Sequence, residues 1–193
     1  MASVLATVPA MSQTPTCPVA GNATMGCNTT IVINPSGTLT IAAGPSATPY
    51  DGSDDNLVGI LNNSGATVNA ILLSGHGVDG GIFSFDGDGV DDYLSPAISP
   101  NAMDTSSGGY GGPLSYFTNL SATVVADDTG MVNFIGGLAD GAQTYFSLED
   151  SFAEAVITPG PVGTSVTPEP STLLLLGTGM LGIAGEVKRR MAA

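Results

Sequence analysis

From Thr29 onward the sequence never holds one texture for long. It runs through TTIVIN, GTLTIAAG, NLVGILNN, VNAILLSG and GIFSF, short β-branched or apolar stretches with Asn, Gly, Pro or Ser in every gap. β-branched residues lose rotamer freedom in a helix and pack well on a pleated surface, and the turn formers keep each stretch short. Further strands are predicted in LSYFTNLSATVVAD, MVNFIGG and TYFSLED, after a loose segment around DTSSGGYGGP. With almost no 3.6-residue periodicity, the pattern predicts a mostly β body over residues 28–158, an antiparallel, jelly-roll-like β-sandwich with little helix. Within it, LVGILNNSGATVNAILLSG reads as a hairpin, two apolar runs joined by Asn62, Asn63, Ser64 and Gly65.

A chain of 193 residues accommodates one such domain and a tail. Its charge is lopsided. Acidic residues number 17 against 3 basic ones, and the bases are Lys188, Arg189 and Arg190 at the far end. The body is therefore a polyanion without basic side chains to offset it, repelled by phosphate backbones and anionic membrane surfaces. Nucleic acid is excluded as a partner.

Residues 1–27 read as a leader and a short Cys loop. The run Ala6-Thr7-Val8-Pro9-Ala10 resembles the end of a secretory signal whose basic and apolar upstream parts are missing. Cys17 and Cys27 stand close together among Pro18, Gly21, Asn22 and Gly26, turn residues that let the loop close. In an oxidising compartment a disulfide there contributes up to roughly 3 kcal/mol by loop entropy. Two free thiols are the other reading. A thiolate metal site needs more ligands than one His and no further Cys provide.

The texture changes at ITPGPVGTSVTPEP, whose four prolines predict an extended, solvated linker over 159–170. After Pro170 the run STLLLLGTGMLGIAG carries no charge. As a helix it is roughly 22 Å long against a bilayer core of about 30 Å, a marginal single transmembrane span within 171–193. Glu186 follows, and then the three bases, which hold the C-terminus on the cytoplasmic side and put the acidic body across the membrane.

Pro168-Glu169-Pro170, the apolar segment from Ser171 and the terminal Lys188-Arg189-Arg190, in that order, resemble the PEP-CTERM sorting signal of exported bacterial proteins. Glu186, where that family stays apolar, and Met191-Ala192-Ala193 beyond the bases depart from its pattern. The resemblance implies recognition by an exosortase through the Pro-Glu-Pro motif and removal of the tail near it. It further implies transit through the inner membrane to the cell surface or exterior, often in bacteria that make an exopolysaccharide matrix.

The densest acidic stretch of the body is SFDGDGVDDY. Ca²⁺ takes six to eight oxygens, and its loops alternate acidic ligands with Gly at a sharp turn. Asp86, Asp88 and Asp92, with Gly89, match the inner part of such a loop, but Ser84 stands at the first ligand position and no acid follows at the bidentate distance. A second group, Asp51, Asp54 and Asp55, can complete a site in space; Asp and Gly acting as turn residues are the plainer reading. His76, the only histidine, has Ser74 and Asp79 nearby in one Gly-rich loop, an adjacency that does not make a triad. Paired carboxylates for glycoside hydrolysis are plentiful in number but not in placement, and no Trp offers a sugar platform. The sequence thus predicts a non-catalytic exported protein, structural or adhesive. A calcium-dependent, lectin-like module for matrix polysaccharide is the alternative.

Overall fold

A computed structural model of the chain describes residues 13–75, 80–94, 108–121, 128–150 and 163–165. The Pro168-Glu169-Pro170 motif, the apolar run from Ser171, the basic triplet Lys188 to Arg190, His76 and Asp79 lie outside the described residues.

The strands are β1 (Thr29–Ile33), β2 (Leu39–Ala43), β3 (Asn56–Asn62), β4 (Thr67–Gly75), β5 (Ser115–Ser121), β6 (Asp128–Leu138), β7 (Gln143–Leu148) and β8 (Gly163–Ser165). Among the described residues the only helical element is one 3-10 turn, Val90–Tyr93. The body is mostly β, as its punctuated apolar runs predict. The strands form two four-stranded sheets, in the orders β2-β1-β3-β7 and β5-β6-β4-β8. One core joins both: Ile31, Val58, Ile60 and Phe146 from the first sheet share a buried cluster with Ile71, Leu73, Phe117 and Val132 from the second. Each such side chain contributes about 1.5–3 kcal/mol when fully buried.

Pairing differs from expectation in three places. The first sheet is mixed, because β1 and β3 run parallel, Ile31 beside Ile60. After β2 returns antiparallel along β1, the segment 44–55 carries the chain back past β1, so β3 enters in the direction of β1. Asn28 pins that crossover: its amide donates to the Thr48 carbonyl (2.7 Å) and its Oδ1 accepts from the Leu57 backbone N–H (3.0 Å). Second, β3 and β4 are not a hairpin. They lie in different sheets, and 63–66 is an arch between them. Fully buried Asn62 organises it, donating to the carbonyls of Ala66 and Leu138 (2.7 Å each) and accepting from the Ser64 N–H (3.0 Å). A strand buried at every position, as β3 is, has no solvent face to tie it to its sequence neighbour. Third, GIFSF is not a strand. The Phe83 N–H donates to the Asp128 carboxylate (3.1 Å) instead of to a ladder.

Within the Pro-rich stretch, Gly163–Ser165 pairs antiparallel with β4. At the other end the Cys loop packs on the strands of the body. Cys17 and Cys27 are joined with Cα atoms 4.9 Å apart, and Ala20 and Ala23 pack in a second buried cluster with Tyr50, Leu57, Val90 and Leu94.

Candidate functional site

Above that second cluster the chain gathers acids from two distant segments. Asp51 and Asp55 bracket the turn that feeds β3. The Asp51 carboxylate accepts from the Ser53 N–H (2.8 Å) and the Asp55 N–H (3.0 Å), a tight Asx arrangement that Gly52 completes with φ 95°. Asp88 comes from the loop that enters the 3-10 turn. Gly89 lets this loop lie against 108–110, since a Cβ there would strike the backbone of Gly109 and Tyr110, and the Gly89 N–H donates to the Gly108 carbonyl (3.0 Å).

Tyr110 then fixes the acidic arm. Its ring stacks on Phe85 (centroids 4.4 Å apart), and its hydroxyl sits 2.8 Å from Asp88 Oδ1 and 3.1 Å from Asp86 Oδ1. Tyr93 packs edge-on against Tyr50. As a result one carboxylate oxygen from each of Asp51, Asp55 and Asp88 lies within 4.8 Å of the other two.

Asp55 is the unusual member. It is 2% exposed, and neither of its carboxylate oxygens has a hydrogen-bond partner. Burial pushes its carboxyl up to about 9, with Asp88 and Asp51 adding to the rise against the nearby hydroxyls of Tyr50 and Tyr110. The Tyr50 hydroxyl, also buried and without a partner, is held far above the usual phenol range by burial and by the Asp55 charge. Burial likewise raises Glu149 to about 7, although it accepts the Asp86 N–H (3.0 Å).

The acids singled out in the sequence therefore separate. Asp88 joins Asp51 and Asp55; Asp86 is attached through Tyr110; Asp54 and exposed Asp92 are not in the trio. Ser84 is occupied elsewhere, donating to the Asp128 carboxylate (3.0 Å). The tyrosines escaped sequence reasoning because nothing in GGYGGP or TPYDG marks a ring that reaches a distant acid.

No curated protein and no solved structure matches this chain. Residues 166–190 match the family model of the PEP-CTERM protein-sorting motif. The chain carries a PEP-CTERM sorting signal. Pro168, Glu169 and Pro170 open the PEP-CTERM match and Lys188, Arg189 and Arg190 close it, so every basic side chain except His76 falls inside the sorting signal. The motif marks an exported protein sorted by exosortase.

Proposed function

We propose that the chain is a non-catalytic, structural or adhesive protein of the bacterial surface or extracellular matrix, delivered there by exosortase processing of its C-terminal signal. The observation that carries this reading is the match at 166–190 behind an acidic β body. Pro168-Glu169-Pro170 follows a Pro-rich stretch that a membrane-embedded enzyme can reach, while Lys188, Arg189 and Arg190 resist translocation and hold the apolar run in the inner membrane. A non-catalytic role agrees with the body's chemistry. Its two cysteines are tied up with each other, it has one histidine, and it has no Lys or Arg to hold a phosphate or an oxyanion.

Expression in an exosortase-bearing host tests the delivery. Intact mass of the protein recovered outside the cell should lack Lys188 to Ala193, and Glu169→Ala should leave the chain unprocessed in the membrane. Exported protein that still ends in Lys188-Arg189-Arg190-Met191-Ala192-Ala193 contradicts the reading. A glycan array probed with and without EDTA separates the structural role from calcium-dependent polysaccharide binding: no glycan signal in either condition is the expected result.

A further inference from the structure

We infer that Asp51, Asp55 and Asp88 together bind one Ca²⁺ ion, which ties the turn ahead of β3 to the loop ahead of the 3-10 turn. The spacing suits a single ion, because oxygens each about 2.4 Å from a shared Ca²⁺ are at most about 4.8 Å apart, and these three lie within 4.8 Å of one another. Spacing alone would describe any acidic patch. The decisive feature is Asp55, nine-tenths and more buried, which brings one oxygen into the cluster and has no hydrogen bond to either oxygen. The buried Tyr50 hydroxyl beside it is also without a partner.

A buried carboxylate is ordinarily satisfied by a basic side chain, by donors or by a proton. The chain has no Lys or Arg before residue 188, which removes the first option. The only hydroxyls beside Asp55, those of Tyr50 and Tyr110, do not reach hydrogen-bonding geometry with its oxygens, which leaves the second unmet. A proton would cancel the charge but would serve only one of the two oxygens, both of which are without a partner. A cation meets both needs.

The donor set is all oxygen, which selects a hard ion over zinc or copper. Mg²⁺ gives up its water reluctantly, whereas a sealed carboxylate demands an ion that exchanges water for protein oxygen, as Ca²⁺ does. Asp51 and Asp88 are only half-buried, so water can fill the remaining positions on their side. The site does not depend on the sorting reading, although extracellular modules commonly work at about 10⁻⁴–10⁻³ M Ca²⁺.

Terbium, a luminescent Ca²⁺ surrogate, tests it on the full chain in mild detergent. Tyr50, Tyr93 and Tyr110 surround the site as antennae, and the chain has no Trp to obscure them. Tyrosine-sensitised luminescence should saturate at one equivalent, be displaced by Ca²⁺ at far lower concentration than by Mg²⁺, and fall at least about tenfold in affinity in Asp55→Asn and Asp88→Asn, the loss of roughly one charged ligand contact. Exposed Asp92→Asn should bind as the wild type does. If Asp55→Asn does not fold, half-buried Asp88→Asn decides. Absence of saturable luminescence, or full binding retained in Asp88→Asn, overturns the inference, as does loss in Asp92→Asn alone.

Discussion

Asp55 and Asp128 are both sealed from solvent in the same body, and they are satisfied in opposite ways. Asp128, fully buried at the start of β6, accepts from the Phe83 N–H (3.1 Å) and the Ser84 hydroxyl (3.0 Å), and the loop at 81–84 folds closely over it. Gly81 makes that closeness feasible, because a Cβ there would fall on the Asp128 carboxylate. Asp55, 2% exposed, has no hydrogen-bond partner on either oxygen. In a body without Lys or Arg, backbone and hydroxyl donors can satisfy one carboxylate internally, while the other relies on something from outside. One acid is architecture; the other is a socket.

Substitutions break or sharpen this contrast. The largest effect belongs to Asp128→Ala, which orphans the buried Phe83 N–H and the half-buried Ser84 hydroxyl and should cost about 3 kcal/mol, equally in calcium and in chelator. Urea unfolding measures it. Replacing both cysteines by Ala should cost about 2–3 kcal/mol, again whatever the calcium concentration, because the Cys17–Cys27 loop braces the apolar cluster beneath Asp55 by shrinking the unfolded ensemble. In EDTA, Asp55→Asn should lie within about 1 kcal/mol of the wild type, on the stable side, because folding the apo wild type near neutral pH has to bury a charge or take up a proton, and the amide needs neither. Asp92→Asn should change stability by less than about 0.5 kcal/mol in either condition, as expected for an exposed side chain outside the trio.

The strands were legible because β-branched composition and punctuation are local properties: β1 lies in TTIVIN, β2 in GTLTIAAG, and all of β7 but Gln143 in TYFSLED. Partner choice was not local. Asn62-Asn63-Ser64-Gly65 has the chemistry of a hairpin turn, yet the Asn62 side chain spends its hydrogen bonds on Ala66 and on Leu138, far along the chain, and makes an arch. The Phe83 N–H is drawn away from a ladder by Asp128, a contact no window of sequence contains. The sorting signal is the reverse case, a linear motif whose meaning needs no fold, and its order of Pro-Glu-Pro, apolar run and bases was readable directly. For the acidic site, the sequence shows two groups of aspartates without revealing which members meet. Asp92 fits the loop spacing but sits exposed on the 3-10 turn, while Asp55, ordinary in YDGSDDN, is the one the fold buries.

The most direct test of the contrast is thermal unfolding of the wild type, Asp55→Asn and Asp128→Asn, each in millimolar Ca²⁺ and in EDTA. Calcium at a hundredfold excess over Kd should raise the Tm of the wild type by roughly 5–10 °C. It should do the same for Asp128→Asn from a lower baseline, and leave Asp55→Asn unmoved, so that the order of wild type and Asp55→Asn reverses between the two buffers. Equal calcium shifts in wild type and Asp55→Asn, or no shift in any of the three, would contradict the account.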